Sequence, residues 1–243
     1  MPLKRRHRYI LLAVGIYWPL IFWLTHIPVP ALARLSGMSD KTMHVLAYMV
    51  LTFLLWLAVN PYEKATWKRA SFWAILSAVL VYAAIDEILQ GPVGRGTDFM
   101  DFLANLFGTL LAMGILSFLS FWPALLMISA IFIFVIQNLS NLTLLWPQFH
   151  LNTVFHFSAY AAFSLLWMHF LIRKRPDQPA IKWLIEGVAL PFLLLAAVCA
   201  GNPIRGKEIF LIDICTAAFS ITASVLTSYA VLFRKRSADS FLE

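Results

Sequence analysis

The residues best suited to chemistry lie in and around a short polar stretch, residues 86–105, that separates two apolar runs. Three of them fit acid–base chemistry: His44, Glu87 and Asp101. A histidine beside carboxylates can act as a general base near neutral pH. Ionisable groups beside hydrocarbon are costly to bury and commonly mark functional sites. We therefore treat these three side chains as candidate catalytic residues.

Five further side chains are candidates for binding a polar ligand. A guanidinium group contacts phosphate or carboxylate bidentately, which gives Arg95 this role in the turn that follows the first apolar run. The others share helix faces with the candidate catalytic residues: Tyr48, Gln90, Asp98 and Asn105. Asp98 also fits a simpler interpretation, as an acid favoured at a helix N-terminus.

Two other interpretations of the same residues stay open. Glu87 and Asp101 can form an ion-pair network with Arg95 and His44 that fixes the helix ends, since buried charges are usually paired. The other is a metal site with nitrogen and oxygen ligands from His44, Glu87 and Asp101. No compact motif such as His-Glu-x-x-His is present, so we predict neither a metal nor a cofactor.

The elements that position these residues are predicted to be membrane-spanning helices. The chain is 61% hydrophobic and 13% charged, and its apolar stretches reach the roughly 18 residues or more that a transmembrane helix needs. Eight spans are predicted, near 9–27, 42–59, 71–90, 99–118, 121–138, 153–172, 181–200 and 210–232. No stretch alternates at period two, so the predicted fold is an all-α integral membrane protein without a soluble domain.

The positive charges predict the topology of these spans. Fourteen of the 19 Lys and Arg residues fall in alternate segments, at 4–8, 64–69, 173–182 and 234–236. Because cytoplasmic loops are enriched in Lys and Arg, both termini are predicted to face the cytoplasm. The first span is interpreted as a retained helix rather than a cleaved signal peptide, since it is long enough to cross a bilayer. The basic charge is thus a topology signal and does not indicate nucleic acid.

A faint internal repeat relates the two halves of the chain at an offset of 112 residues. His44 and Tyr48 correspond to His156 and Tyr160, and the segments containing Asp101 and Asp213 match in the same register. The predicted domains are residues 1–119, carrying the polar site, and 120–243, a degenerate second half. Four spans per half predict two parallel four-helix repeats related by an axis along the membrane normal. Gly108 and Gly114 are predicted to allow close helix packing, and Cys199 and Cys215 are interpreted as buried thiols.

The first half resembles the VanZ-like family of bacterial membrane proteins. The resemblance covers about residues 35–115, with a weaker echo over 150–225. It is carried by Asp40-Lys41-Thr42-Met43-His44 with Tyr48, by Glu87 with Gln90, by Gly94-Arg95, and by Asp101 with Asn105 and Gly108. It implies a helical protein of the bacterial cytoplasmic membrane, in a family of which some members are linked with teicoplanin resistance. The second copy departs from the simple family pattern.

Three functions are compatible with these observations. The first is an envelope protein whose outer-leaflet pocket binds a lipid head group or a lipid-linked cell-wall intermediate and thereby affects glycopeptide resistance. The second is a membrane enzyme that uses Glu87, Asp101 and His44 on a lipid-linked substrate. The third is a small-solute transporter, although transporter sites usually lie nearer the bilayer midplane than these charges do. A membrane-protein partner and the oligomeric state are left open.

Overall fold

The computed structural model describes residues 5–26, 37–61, 63–92, 97–140, 150–175, 179–204 and 210–239. Within these ranges the regular structure is entirely α-helical. The described residues form eight helices: α1 (Arg5–His26), α2 (Asp40–Val59), α3 (Ala70–Gln90), α4 (Phe99–Phe118), α5 (Phe121–Leu139), α6 (Leu151–Lys174), α7 (Ala180–Ile204) and α8 (Leu211–Asp239).

Each of the eight helices is long and apolar enough to cross a membrane. Large apolar side chains on their outer faces are exposed, as expected for contact with lipid; examples are Leu12, Ile16, Val81, Phe107 and Leu193. A helix pairs its own backbone N–H and C=O groups, whereas lipid offers these groups no hydrogen-bond partners. The predicted class, an all-α polytopic membrane protein with about eight spans, is confirmed.

The chain divides into two compact units, Met1–Ile128 and Ser129–Glu243, and the division falls within α5. In the first unit α2 and α4 make the most extensive contact, with α1 and α3 packed beside them. In the second unit α6 and α8 make the most extensive contact, and α7 packs against both. Each unit is therefore built around its second and fourth helices.

A glycine allows α2 and α4 to approach closely in the first unit. A Cβ added to Gly108 would lie 2.3 Å from the Val45 carbonyl oxygen and 3.1 Å from the Met49 nitrogen. Both neighbours are helix backbone, which cannot move aside, so only glycine fits here. Gly114 has no atom within 4 Å of an added Cβ. The predicted packing role is thus correct for Gly108 and wrong for Gly114, which lies on the same helix but away from α2.

The amino ends of α2 and α4 are both capped by side chains. Ser39 accepts a hydrogen bond from the Thr42 backbone N–H at 3.2 Å, and Asp98 accepts one from the Met100 N–H at 2.8 Å. These caps satisfy backbone donors that a helix start leaves unpaired. They fix where the two helices begin, and hence the depth of the polar side chains in their first turns.

The second unit has an apolar core between α6, α7 and α8. Met168, Leu171 and Val225 are buried together, and an added Cβ on Gly187 would lie 2.6 Å from the Met168 sulfur. Cys199 and Cys215 are both free thiols, with Cys199 half-buried and Cys215 exposed. The expectation that both would be buried is wrong for Cys215, because that face of α8 does not turn towards the core.

The 112-residue offset also relates contacts in the two units. Ser220 corresponds to Gly108, and its hydroxyl donates 2.6 Å to the Phe157 carbonyl oxygen. Phe157 is the counterpart of Val45, whose carbonyl lies against Gly108. The same pair of helix positions is therefore in contact twice, once through a glycine and once through a serine that hydrogen-bonds the facing backbone.

Candidate functional site

The polar side chains of the first unit gather where α1 and α3 end and α2 and α4 begin. At about 1.5 Å per residue, these positions lie within roughly two turns of the helix termini. The buried members are Thr25, His44, Tyr48, Asp86, Glu87, Gln90, Asp101 and Asn105. All four helices of the first repeat contribute, so the cluster is a property of the bundle and not of one helix.

His44 lies at the centre of this cluster and is only 3% exposed. Its Nδ1 lies 2.9 Å from Asn105 Oδ1. On the other side of the ring, Nε2 lies 3.8 Å from Asp101 Oδ2 and 4.0 Å from Asp40 Oδ1. The ring therefore stands between an amide on one side and two carboxylates on the other.

Asn105 links His44 to Glu87. Its amide nitrogen donates to Glu87 Oε1 at 3.4 Å, so its carbonyl oxygen is the atom that faces His44. A carbonyl oxygen can only accept a hydrogen bond, which requires His44 Nδ1 to carry a proton. Nε2 is then the nitrogen that can accept a proton or a metal. The Asp98 backbone N–H also lies close enough to stabilise the Glu87 carboxylate. Its other oxygen, Oε2, is buried and has no hydrogen-bond partner within 3.5 Å among the described residues.

Asp86 forms the deeper part of the cluster and is fully buried. Its carboxylate accepts hydrogen bonds from Thr25 Oγ1 at 2.9 Å, from Gln90 Nε2 at 3.3 Å and from the Tyr48 hydroxyl at 3.4 Å. His26 Nδ1 lies 3.7 Å from the same carboxylate. A buried carboxylate is tolerated when it is hydrogen-bonded in this way.

Lys41 and Asp98 form the rim of the cluster. Lys41 Nζ donates to Asp98 Oδ2 at 2.8 Å and to Asp101 Oδ1 at 3.2 Å. The side chains of Lys41 and Asp98 are 50% and 46% exposed, whereas that of Asp101 is 8% exposed. The Lys41 hydrogen bond, together with the Met100 N–H, lowers the pKa of Asp98. Lys41 therefore links an exposed carboxylate and a buried one.

The structure brings together seven of the eight candidate residues predicted from the sequence. His44 lies within 4.0 Å of Glu87, Asp101 and Asn105, and Asn105 also contacts Glu87. A branch through Tyr48, Gln90 and Asp86 lies on the same faces of α2 and α3. The capping role considered for Asp98 is confirmed. Arg95 lies outside the described residues, so its predicted place above the cluster stays a prediction.

Sequence reasoning missed three members of the cluster. Thr25 and His26 end α1, which was interpreted only as an apolar span, and Lys41 was noted only within the Asp40–His44 motif. The signal that could have identified the residues of α1 is their expected depth in the membrane. Once the topology is assigned, polar residues at the end of α1 are expected at the same depth as His44. Their contacts with Asp86 and Asp98 depend on helix rotation, which the composition of α1 does not reveal.

The second unit retains a smaller group of polar side chains at the corresponding place. Asp213, the counterpart of Asp101, accepts hydrogen bonds from Asn152 and from the Thr153 hydroxyl, the latter at 2.7 Å. Asn152 and Thr153 replace Asp40 and Lys41 of the first unit. The Tyr160 hydroxyl donates to Gln137 Oε1 at 3.1 Å in place of a carboxylate. Hydrogen bonding is preserved here while most of the charge is lost.

The arrangement of the first unit can recognise a polar group and can move a proton. Lys41 offers a cation at the rim, Glu87 Oε2 an unpaired acceptor inside, and His44 Nε2 a basic nitrogen between carboxylates. Comparisons with protein-family models, with characterised proteins and with solved structures find no match to this chain.

Proposed function

We propose that the protein is a polytopic protein of the bacterial cytoplasmic membrane that binds the polar head group of a lipid, or of a lipid-linked cell-wall intermediate, at the cluster of the first unit. With both termini in the cytoplasm, the cluster faces the outer leaflet. Lys41 and Arg95 contact the phosphate of the ligand. The inner acceptor, Glu87, receives a hydroxyl or ammonium group of the head group.

The observation that supports this proposal most is the unpaired Glu87 Oε2. Glu87 is 6% exposed, and within the described part of the chain it is the one carboxylate with a buried oxygen that lacks a hydrogen-bond partner. An unpaired buried acceptor costs about 1–3 kcal/mol, and more when it is charged. A donor supplied by a ligand removes that cost. The neighbouring acceptors of Asp86 are already satisfied, so a ligand is expected at Glu87 rather than deeper.

Lipid analysis of the purified protein tests the proposal. Wild type and Lys41→Ala are extracted in mild detergent, and retained lipids are identified by mass spectrometry. Lys64→Ala is the matched control, because Lys64 donates to the Phe118 carbonyl oxygen at the other end of α4. We expect one lipid class to be enriched with wild type and with Lys64→Ala, and lost with Lys41→Ala. Equal retention by all three proteins contradicts the proposal.

A membrane enzyme is the second candidate, and one observation favours it. Asn105 fixes the proton on His44 Nδ1 and leaves Nε2 facing Asp101, which is the arrangement of a general base oriented by its neighbours. Incubation of the purified protein with a labelled undecaprenyl-linked substrate distinguishes the two functions. Product formation that is lost in His44→Gln supports an enzyme, whereas retention without product supports a binding protein.

A further inference from the structure

The basic nitrogen of His44 faces two carboxylates. Its Nε2, Asp40 Oδ1 and Asp101 Oδ2 all lie within 4.8 Å of one another. The separations from Nε2, 3.8 Å and 4.0 Å, are too long for hydrogen bonds. Three potential ligand atoms thus lie close together without hydrogen bonds between His44 and either carboxylate. We propose that Asp40, His44 and Asp101 bind a divalent transition-metal cation.

The spacing suits a metal ion. Zinc binds histidine nitrogen and carboxylate oxygen at about 2.0–2.2 Å, so the ligand atoms of a tetrahedral site lie about 3.4 Å apart. The distances from His44 Nε2 to the two carboxylate oxygens exceed this ligand–ligand distance by well under 1 Å. Rotation of the side chains can shorten them by that amount. Imidazole with carboxylates favours ions such as Zn²⁺ or Mn²⁺ over Ca²⁺ or Mg²⁺, which prefer oxygen alone. Three protein ligands leave a position for water or for a substrate oxygen.

The surroundings of His44 match those of a metal-bound histidine. Such histidines donate their second N–H to a carbonyl or carboxylate, which sets the tautomer and the ring orientation. Asn105 Oδ1, 2.9 Å from His44 Nδ1, is this acceptor. Asn105 is held in turn by Glu87. The hydrogen-bond chain therefore presents the lone pair of Nε2 to the two carboxylates.

Lys41 leaves one oxygen of Asp101 for a metal ion. Its Nζ contacts Oδ1 of Asp101, while Oδ2 faces His44. A metal at Oδ2 therefore does not displace the lysine.

The second unit provides an internal comparison. At the corresponding positions Asn152 replaces Asp40, and the Asp213 carboxylate is held by Asn152 and Thr153. An amide and a hydroxyl there hydrogen-bond the carboxylate. Among the residues that the structure describes, the metal set therefore occurs in the first unit. It also differs from the set considered from the sequence, because Asp40 takes the place of Glu87.

Metal binding by the full-length protein in detergent tests this inference independently of any lipid. Chelator-treated protein is dialysed against Zn²⁺, and bound metal is measured by elemental mass spectrometry for wild type, His44→Ala, Asp40→Asn and Asp213→Asn. Asp40→Asn introduces the residue that the second unit already carries. We expect one ion per chain for wild type and Asp213→Asn, and an affinity lower by about tenfold or more for the other two, since even outer-shell changes cost 10–100-fold.

Three results overturn the inference. One is wild-type affinity in Asp40→Asn, which decides the question even if His44→Ala fails to fold. Another is equal loss in Asp213→Asn. The third is thiolate ligation of the bound metal. Co²⁺ substitution identifies the donor atoms, because the exposed Cys215 is the competing soft ligand. Absorption typical of nitrogen and oxygen ligation supports the site, and a thiolate charge-transfer band contradicts it.

Discussion

Nδ1 of His44 lies 2.9 Å from Oδ1 of Asn105, and this contact joins α2 to α4 in the buried part of the polar cluster. Asn105 then reaches Glu87 on α3. Because Asn105 donates to Glu87, it must accept from His44, so the direction of each hydrogen bond is fixed by the next. The basic nitrogen of His44 and the unpaired oxygen of Glu87 both result from this order.

The directions of these hydrogen bonds predict the effect of Glu87→Gln on ligand binding. The amide oxygen of the new side chain takes the place of Oε1, because it must accept from Asn105. Its NH₂ group then occupies the position of Oε2, which turns an acceptor into a donor. We expect lipid retention, and any teicoplanin-resistance phenotype, to be lost while membrane abundance stays at the wild-type level. A parallel fall in abundance indicates that Glu87 serves the ion-pair network instead.

Gly108→Ala is expected to destabilise the first unit. The added methyl group would meet the Val45 carbonyl oxygen at 2.3 Å, so α2 and α4 must separate; overpacking of this kind costs about 1–3 kcal/mol. The free energy of unfolding in mixed detergent measures the effect. Gly114→Ala is the control, since its added methyl group meets no atom within 4 Å. Similar losses for the two variants would show that Gly108 does not set the helix separation.

Thr25→Val removes one hydrogen bond from the buried carboxylate of Asp86. The Oγ1 donor lies 2.9 Å from Oδ1, and a hydrogen bond to a charged group contributes about 1.5–3 kcal/mol. We expect an unfolding free energy lower by about this amount. Thr222→Val serves as control, because that hydroxyl donates to the Ala218 carbonyl oxygen of its own helix on an exposed face. No difference between the two variants would exclude Thr25 from the cluster.

Ser220→Ala tests the contact that corresponds to Gly108 in the second unit. The serine hydroxyl donates 2.6 Å to the Phe157 carbonyl oxygen of the facing helix. Its removal is expected to cost about 0.5–1.5 kcal/mol, the usual net value of a hydrogen bond. Ser228→Ala, which loses a bond within its own helix, should change the same unfolding measurement less. A larger loss for Ser228→Ala contradicts the proposed pairing of α6 and α8.

The sequence predicts the helices of this protein well and its contacts only in part. Eight apolar runs are enough to place the spans, since length and hydropathy decide whether a helix crosses lipid. Helical spacing predicts that His44 and Asn105 lie on polar helix faces. It does not predict the contacts of Lys41 and Thr25, because the partner of each lies on another helix whose rotation depends on packing. Gly108 and Gly114 show the same limit. The sequence does not distinguish the two glycines, and only Gly108 contacts α2.

The most direct test of the central claim, that side chains from different helices form one connected cluster, is a double-mutant cycle between His44 and Asn105. The unfolding free energy is measured for wild type, His44→Ala, Asn105→Ala and the double variant, and a second cycle pairs His44→Ala with Asn152→Ala in the other unit. We expect a coupling energy of about 0.5–3 kcal/mol for the first cycle and additivity within about 0.5 kcal/mol for the second. Additivity in the first cycle would contradict the account.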